Sequence, residues 1–489
     1  MGSYDQIYVG GRFTGTDDGK SYDNINPATE EPLGQAPDAG LSDTVRAIEA
    51  ARESFDSGVW SDASRQERAR VMRQIAELLE EHRQEMSYVT VEEVGHPTGI
   101  GGVLAHGAIA NAHYIADLAG RDFGYIAAPI VGQQQTTHRQ ILREPVGVVS
   151  AILPFNAPVT VAGYKSLAAI GAGNSVVMKP SPLTPFSALL FAKIVAQSDL
   201  PAGVLNVITG QSAETGIELT ENPKVDMVSF TGSPEVGAAI MASCARTLKR
   251  VMLELGGKSA HIVLDDAPVQ LAAAIAGAGP MGLSGQGCAL PTRILVPNSM
   301  AEEFTPLAKA IVESLVVGDP KDPQTQLGPV VSAAQRDRVE RYVEIAKQEG
   351  ATLLCGGKRP EDLQRGYFYR PTLFHDVENE MRIAQEEVFG PVAVIIRYED
   401  VDDAIRICND SAFGLAGNIC SSNPQRAEAV AKRMRTGQVW INTPLSDEAH
   451  SLPYPDIPFG GYKQSGVGRE LGVEGYLEYT ELKSIAATF

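Results

Sequence analysis

Five short apolar runs between residues 146 and 255 decide the fold of this chain. They read VGVVSAIL (146–153), SVVMK (175–179), VLNVIT (204–209), VDMVSF (225–230) and RVMLEL (250–255). Helix-forming segments separate them, and one of these starts with Thr184 as the predicted N-cap and Pro185 as the first helical residue. Continuous apolar strands that alternate with helices predict an open parallel sheet covered on both faces. Such a sheet binds ligands at the carboxyl ends of its strands, so we expect a nucleotide-type cofactor there.

A second α/β series follows the first. It begins near His261 and continues to about Ile441, which predicts a second α/β domain with a boundary near Gly256 and Gly257. Upstream, residues 64–82 (SRQERARVMRQIAELLEEH) combine a capping pattern with apolar residues at helical spacing. We expect an amphipathic helix there that packs onto the core.

One long segment predicts a β-ribbon. It reads GYIAAPIVGQQQTTHRQILREP (124–145) and is too long for a local turn. With the C-terminal tail TELKSIAATF (480–489) it could pair with another subunit, because an uncovered edge strand is a liability in a monomer. A homo-oligomer, either a dimer or a tetramer, is therefore expected.

Composition and charge narrow the classes of function. The 489 residues are 44% hydrophobic and 21% charged, which is typical of folded globular domains, and this length suggests two or three of them. A net charge of −19 repels phosphate backbones and anionic lipids, so neither nucleic acid nor a membrane is an expected partner. The start MGSYDQIYVGG lacks the pattern of a secretion signal, and five cysteines without paired spacing predict neither disulfides nor a metal site. We expect a cytoplasmic protein.

Cys288 is a candidate nucleophile because of its surroundings. It stands in the glycine-rich run SGQGCALPTR (284–293). Gly285 and Gly287 permit the close backbone approach and the exposed N–H groups that a thiolate and a developing oxyanion require. The alternative is a small buried apolar side chain, the ordinary role of a cysteine in a reducing compartment.

Two polar residues at the ends of predicted strands could act beside a nucleophile. Glu254 precedes Gly256 and Gly257, where its carboxylate could serve as a base or lie on the surface near a turn. The amide of Asn156 could donate to an oxyanion, or the residue could simply form a turn.

Other motifs could bind a cofactor. The run FTGSPEVG (230–237) follows a strand and opens a helix, so Gly232, Ser233 and the helix N-terminus could meet a diphosphate. A strand, a glycine and a helix are common in α/β proteins, however, and this run is not the GxGxxG fingerprint. Lys179 ends the run SVVMK, where its ammonium could reach a ribose or a phosphate or could remain solvated.

Eight motifs in a fixed order resemble those of the aldehyde dehydrogenase superfamily, and the resemblance covers essentially the whole chain. They are FNAP (155–158), KPSPLTP (179–185), FTGSPEVG (230–237), ELGGKS (254–259), GQGC (285–288), EEVFGPV (386–392), GQVWIN (437–442) and PFGGYKQSGVGRELG (458–472). So many motifs in one order make the resemblance specific.

The resemblance implies an NAD(P)-dependent enzyme that oxidises an aldehyde to a carboxylic acid. Cys288 resembles the catalytic thiol that attacks the aldehyde carbonyl. Asn156, together with the Cys288 N–H, resembles the oxyanion hole. Glu254 resembles the general base that activates water to hydrolyse the thioester.

The same resemblance implies a division of the chain. Residues 1–123 and 146–256 would form a Rossmann-like NAD(P)-binding domain with an open parallel sheet. Residues 257–455 would form an α/β catalytic domain, and residues 124–145 and 470–489 an oligomerisation ribbon and tail.

The resemblance also implies cofactor contacts. Lys179 resembles the lysine on the adenosine ribose, Ser233 the serine on the diphosphate and Glu387 the glutamate on the nicotinamide ribose. Phe389 would pack near the nicotinamide ring, although Glu387 and Phe389 could instead be structural. The expected cofactor residues are Lys179, Ser181, Phe230, Gly232, Ser233, Glu387 and Phe389.

Two positions depart from the family pattern. Pro182 stands where many NAD-specific members carry a glutamate that repels a 2′-phosphate. NADP is therefore possible, and NAD is favoured. Val473 stands where some members carry a glutamate proposed to relay protons, which leaves Glu254 as the main base.

The residues around the nucleophile bear on the substrate. Residues 289–291 follow Cys288 without a charge, and the nearest basic residue, Arg293, is expected on the next strand. An uncharged aliphatic or aromatic aldehyde is favoured. The loop LSDEAHSLPYPDIP (445–458) is expected to line the entrance. Its charged or titratable side chains, which could change this prediction, include Asp447, Glu448 and His450.

Two other functions compete with the hydrolytic enzyme. One is a CoA-acylating relative, in which a thiol resolves the thioester and no water-activating base is needed; the presence of Glu254 argues against it. The other is a non-catalytic paralogue, against which the joint presence of Cys288, Glu254 and Asn156 argues.

Overall fold

The computed structural model describes residues 4–443 and 453–489. Its helices are α1 (Leu41–Asp56), α2 (Arg65–Glu81), α3 (Arg83–Val94), α4 (Thr98–Ala119), α5 (Pro158–Gly171), α6 (Pro185–Val195), α7 (Ala213–Glu221), α8 (Pro234–Cys244), α9 (Val269–Ala278), α10 (Ala301–Ser314), α11 (Ala333–Gln348), α12 (Arg382–Gln385), α13 (Val401–Asn409), α14 (Pro424–Ala431) and α15 (Gly472–Glu478). Short 3₁₀ segments span Ala245–Thr247 and Gly279–Gly285.

The strands of the described residues fall into two large sheets, one three-stranded sheet and two pairs. They are β1 (Ile7–Val9), β2 (Arg12–Thr14), β3 (Ser21–Ile25), β4 (Pro32–Pro37), β5 (Tyr125–Val131), β6 (Thr136–Pro145), β7 (Val148–Ile152), β8 (Ser175–Lys179), β9 (Leu205–Val207), β10 (Met227–Thr231), β11 (Arg250–Glu254), β12 (Ala260–Val263), β13 (Arg293–Pro297), β14 (Thr352–Cys355), β15 (Thr372–His375), β16 (Val392–Tyr398), β17 (Phe413–Gly414), β18 (Ala416–Cys420), β19 (Gln438–Ile441), β20 (Tyr462–Lys463), β21 (Gly466–Val467) and β22 (Thr480–Thr488).

The first sheet contains the five apolar runs. Its strand order is β2-β1-β9-β8-β7-β10-β11-β21, and the five central strands β9, β8, β7, β10 and β11 are mutually parallel. Strands β7, β8 and β10 are buried along most of their length, as expected for a sheet covered on both faces. The predicted parallel sheet is therefore confirmed. The antiparallel strand β21 closes one edge by pairing with β11.

The second sheet has the order β14-β15-β16-β13-β12-β18-β19. Every neighbouring pair in it is parallel except β14 with β15. Along the chain, the first strand of this sheet is β12 and the last is β19. These limits match the second α/β series expected from the sequence.

The ribbon is a three-stranded antiparallel sheet with the order β22-β6-β5. The tail strand β22, which the sequence offers for pairing with another subunit, pairs along its whole length with β6 of its own chain. Strand β5 pairs with the other side of β6. The outer edge of β5 has no partner strand among the described residues.

The first residues of helices α2 and α6 can be compared with the helix starts predicted from the sequence. Ser64 is the N-cap of α2, and its hydroxyl accepts the N–H of Glu67 as the capping pattern predicts. Helix α6 starts at Pro185 as predicted, but the Thr184 side chain makes no capping hydrogen bond. A distant carboxylate replaces it: Glu93 accepts the N–H groups of Phe186 and Ser187 at 2.6 and 2.8 Å.

Candidate active site

Four of the predicted site residues lie at the carboxyl edge of the first sheet. Asn156 follows β7, Lys179 ends β8, Ser233 follows β10 and Glu254 ends β11. The parallel strands bring these ends to one edge because they all run in the same direction. Cys288 comes from the loop between the 3₁₀ segment at 279–285 and β13.

A cavity of about 470 Å³ brings the three predicted catalytic residues together: Cys288, Glu254 and Asn156 all line its wall. Most of the remaining wall is apolar. The apolar lining includes Ile100, Val103, Leu104, Val161, Leu271, Ile275, Leu283, Leu290 and Phe459. The arrangement places a thiol, an amide and a carboxyl around one enclosed apolar space.

Glu254 is buried, and neither of its carboxyl oxygens has a hydrogen-bond partner among the described residues. Burial and then the nearby Glu470 raise its pKa well above the usual range, while Lys165 and Arg469 oppose that shift. A carboxyl that is held without partners beside a cavity is free to bind a water or to take a proton.

Cys288 as a residue is partly exposed, but its thiol is buried enough that its pKa is raised. Burial is the main cause, followed by the negative charges of Glu387 and Glu254. The Cys288 backbone packs closely against Gly257. A Cβ atom added at Gly257 would therefore collide with the Cys288 carbonyl oxygen. The cysteine loop therefore rests directly on the glycine pair that follows β11.

A buried ion pair that the sequence did not predict lies beside Glu254. The Lys165 ammonium donates to the Glu470 carboxylate at 2.6 Å and to the Ser229 hydroxyl at 3.0 Å, and Ser229 lies 3.1 Å from the Tyr479 hydroxyl. Glu470 also lines the cavity. These groups form a polar chain that leads from the cavity into the core of the first sheet.

Val473 supplies no carboxylate, but a second carboxylate lines the cavity together with Glu254. Val473 packs against the core of the first sheet. The second carboxylate is Glu470, three residues earlier, in the motif GRELG. Only the three-dimensional position distinguishes it from the other acidic residues of the C-terminal segment.

Glu387 lies against the glycine pair that follows β11. It accepts the N–H of Gly257 at 3.0 Å, and burial raises its pKa to about 7. A Cβ atom added at Gly256 would lie 2.6 Å from one of its oxygens, so any larger residue there would displace the carboxyl from this position. The carboxyl is thus held against the same glycine pair that supports Cys288.

Phe389 adopts a left-handed backbone conformation with φ of 60°, which is costly for a bulky residue. Gln335 fixes it by donating to its carbonyl at 2.6 Å. Its ring meets the ring of Phe155 edge-on at 5.6 Å between centroids. Phe155 is the immediate neighbour of Asn156, so Phe389 and the predicted oxyanion residue belong to one region.

The remaining predicted cofactor residues lie outside the lining of that cavity but on the same sheet edge. The ammonium of Lys179 donates to the Gly210 carbonyl at 3.1 Å, and burial lowers its pKa to about 8. Ser181 follows in the next loop, where its hydroxyl accepts the N–H of Leu183.

Ser233 caps α8 by accepting the N–H of Val236. Gly232 packs against the ring of Phe230, which leaves no room for a Cβ atom. These residues place the exposed N-terminus of α8 at the carboxyl edge of β10, as an anion-binding site requires.

No lysine or arginine lines the cavity in the described part of the chain. Arg293 lies on β13, as expected, and is buried with its guanidinium bound to the carbonyls of Lys258, Ile407 and Cys408. Residues 445–452 of the predicted entrance loop, with Asp447, Glu448 and His450, lie outside the described residues.

Residues 4–443 and 453–489 contain no cluster of three or more His, Cys, Asp or Glu side chains arranged to hold a metal ion. None of the described helices has the length and apolar character needed to cross a membrane.

Comparisons with known proteins agree with the geometry. Residues 13–485 match the model of the aldehyde dehydrogenase family. The chain is 38% identical to the betaine aldehyde dehydrogenase of Bacillus subtilis over 482 residues, which cover 98% of this chain and 96% of that protein. The crystal structure of betaine aldehyde dehydrogenase from Staphylococcus aureus in complex with NAD+ superposes with a TM-score of 0.95 at 36% identity, covering 99% of this chain and 94% of that one.

Proposed function

Because this chain belongs to the aldehyde dehydrogenase family, we propose that it oxidises an uncharged aldehyde to the carboxylic acid with NAD as hydride acceptor. Cys288 is the proposed nucleophile, Asn156 the oxyanion donor and Glu254 the general base. The observation that carries the proposal is the single cavity that all three residues line.

The first chemical step belongs to Cys288. An aldehyde has no leaving group, so it gives up a hydride only after a nucleophile has added to its carbonyl carbon. The Cys288 thiolate adds there, and the Asn156 amide and the Cys288 N–H donate to the oxygen that becomes negative. When bound, NAD supplies the acceptor for the hydride that leaves as this adduct becomes a thioester.

The second step belongs to Glu254. Its carboxylate takes a proton from the water that attacks the thioester, which releases the acid and restores the Cys288 thiol. Burial and the neighbouring Glu470 raise the pKa of Glu254, which makes its carboxylate a stronger base than that of an exposed glutamate. Glu470, paired with Lys165, offers a route by which the proton leaves the cavity.

The residues present fit NAD. The Glu387 carboxyl lies beside Gly256 and Gly257, where a Cβ atom at Gly256 would collide with it. Such a carboxyl can accept hydrogen bonds from a ribose. Lys179 has a single carbonyl partner and can donate further hydrogen bonds. Pro182 supplies no carboxylate that would repel a 2′-phosphate, so NADP is a possible substitute.

An uncharged aldehyde suits the cavity better than a cationic one. The relatives named above are betaine aldehyde dehydrogenases, and betaine aldehyde carries a quaternary ammonium group. Of the two carboxylates in the described cavity wall, Glu470 is already paired with Lys165 and Glu254 is the proposed base, so neither is left to hold such a cation. The aliphatic lining favours an aliphatic or aromatic chain.

Initial-rate assays test this proposal. Purified protein is mixed with NAD or NADP and with aliphatic, aromatic, semialdehyde and betaine aldehyde substrates, and reduced nicotinamide is followed by absorbance while the product is identified. We expect free acid, the highest kcat/KM with uncharged aldehydes, and no activity for Cys288→Ala. Production of an acyl-CoA only when CoA is added would instead support the acylating alternative. No turnover with any substrate would support the non-catalytic one.

Parts of the chain also receive proposed roles. Residues 1–123 and 146–256 are the proposed NAD-binding domain, and residues 257–455 the proposed catalytic domain. The sheet β22-β6-β5 is the proposed oligomerisation element of a homodimer or homotetramer. Apolar side chains on its outer strand β5 support this role: Ile126 is 77% and Val131 75% exposed. A cytoplasmic location is proposed because all five cysteines are unpaired.

A further inference from the structure

A buried histidine contacts the backbone of the proposed oxyanion residue. His96 lies in the loop between α3 and α4 and has no exposed surface. Its Nε2 atom lies 2.7 Å from the carbonyl oxygen of Asn156. A carbonyl only accepts hydrogen bonds, so Nε2 carries a proton and donates. Burial lowers the pKa of His96 to about 4, so the ring is neutral near pH 7 and this nitrogen holds its single proton.

The Asn156 carbonyl depends on this donor. It lies between the end of β7 and the start of α5, and the N-terminal hydrogen bond of α5 uses the Ala157 carbonyl instead, which accepts the N–H of Val161. Within residues 4–443 and 453–489, His96 is the only donor that reaches the Asn156 carbonyl. A buried carbonyl without a donor is unfavourable, so the peptide would turn to find another partner.

The loop that carries His96 is itself tightly held. Gly95 has a left-handed backbone with φ of 80°, and a Cβ atom there would lie 2.6 Å from Pro329 and 2.9 Å from Pro27. His96 therefore has little freedom to follow a moving Asn156.

The same support holds the cysteine loop. A Cβ atom added at Gly328 would collide with the Gly95 carbonyl. Ser284 donates to the Gly328 carbonyl at 3.0 Å, and Gln286 accepts the N–H of Val331 at 2.9 Å. The segment 328–331 thus touches both the histidine loop and the loop that leads to Cys288.

We infer that His96 is a positioning residue. It holds the backbone carbonyl of Asn156 in place, so that the side-chain amide of Asn156 donates to the oxygen of the aldehyde bound at Cys288. The inference rests on the proposed function of Asn156. His96 does not line the cavity and touches neither substrate nor cofactor; it acts only through the Asn156 carbonyl. Its neutral Nε2–H form is the form that this contact needs.

Pre-steady-state kinetics with a double-mutant cycle tests the inference. The variants are His96→Phe, which keeps a ring but loses the donor; His96→Gln, whose amide can donate; Asn156→Ala; and His96→Phe with Asn156→Ala. Each is mixed with saturating NAD and aldehyde, and the burst of reduced nicotinamide is timed. NAD affinity and the melting temperature are measured alongside, and His96→Met replaces His96→Phe if the latter does not fold.

We expect His96→Phe to slow the burst about 10- to 100-fold, since a small misplacement of a catalytic group has effects of this size. NAD affinity should stay near that of the original chain, and His96→Gln should recover most of the rate. In the Asn156→Ala background the same histidine change should have less than about a twofold effect, because the two residues act as one unit.

Two different outcomes overturn two different claims. If Asn156→Ala slows the burst while His96→Phe does not, or if their effects simply multiply, the inference about His96 is wrong and the proposed function stands. If Asn156→Ala leaves the burst unchanged, the oxyanion role in the proposed function is wrong, and the role of His96 falls with it.

Discussion

Cys288 differs from the other cysteines in its access to solvent. The other four are buried, whereas Cys288 is partly exposed at the cavity. Its pKa is raised by burial and by the charges of Glu387 and Glu254. A thiol reacts as its thiolate, so a raised pKa means that reactivity increases as the pH rises through the alkaline range.

We therefore expect iodoacetamide to label Cys288 first, slowly at neutral pH and faster with each step toward about pH 10, where an ordinary thiol is already ionised. Mass spectrometry of digested protein, labelled across this pH range without cofactor, measures the rate at each cysteine. Cys288→Ala is the control for labelling elsewhere. A rate that is already maximal at neutral pH would contradict the raised pKa.

Glu254→Gln separates the two chemical steps. Acylation of Cys288 precedes the step that needs a base, so we expect a burst of about one reduced nicotinamide per site followed by slow turnover. Stopped-flow absorbance measures both phases, and Glu254→Asp is a matched control that keeps the carboxylate. A steady rate equal to that of the original chain would refute the assignment of the base.

The ion pair beneath the cavity predicts a large effect on stability. Lys165 is fully buried, and Lys165→Met leaves the Glu470 carboxylate without its charged partner. We expect the free energy of unfolding to fall by about 3–5 kcal/mol, and the further change Glu470→Gln to restore part of it. Denaturant titrations measure both. A single variant as stable as the original chain would contradict the pairing.

At the scale of residues, the sequence was informative where chemistry follows a motif. Cys288, Asn156 and Glu254 were predicted from their surroundings, and the cavity brings them together. The pairing of Lys165 with Glu470 was missed because the two residues are 305 positions apart, and the motif that contains Glu470 does not indicate its partner. His96 was missed because its contact is to a backbone atom, which no side-chain pattern encodes.

At the scale of elements, helix α6 shows how a tertiary contact replaces a local one. The hydroxyl of Thr184 has no hydrogen-bond partner among the described residues, whereas Glu93 is fully buried and accepts from the backbone at the start of the helix. Glu93 also accepts from Asn24, which ties β3 to the same carboxylate.

We expect Glu93→Ala to lower the free energy of unfolding by about 2–4 kcal/mol, because it leaves several buried donors without an acceptor. Thr184→Ala is the matched control, and we expect its effect to stay below about 1 kcal/mol, since the hydroxyl makes no capping bond. Urea unfolding followed by circular dichroism compares them. Equal losses would mean that Thr184 caps the helix after all.

The strands were predictable because continuous apolar runs leave few alternatives to a buried parallel sheet. The partner of the tail was not. TELKSIAATF alternates in a way that suits any exposed edge, so its sequence cannot distinguish β6 of the same chain from a strand of another subunit. Only the path of the chain after α15 brings it to β6.

At the scale of the whole molecule, strand β5 is the surface that most resembles an interface. Ile126 and Val131 are largely exposed on a sheet edge, an arrangement that soluble monomers avoid. We expect Ile126→Lys with Val131→Lys to lower the molar mass in solution, as measured by light scattering after gel filtration. Leu248→Lys with Val59→Lys, at 89% and 52% exposed positions outside the ribbon, is a comparison that adds the same two charges. An unchanged mass for the β5 variant would refute the role of this edge.

The pairing of β21 with β11 has a consequence for biosynthesis. Translation proceeds from the N-terminus, yet the first sheet obtains its last strand only from residues 466–467, after the whole second sheet has been made. Phe459 and Glu470 of the cavity wall come from the same late stretch. A chain still growing on the ribosome therefore carries its thiol in an unfinished pocket, and we expect the reactive centre to assemble only when synthesis is nearly complete.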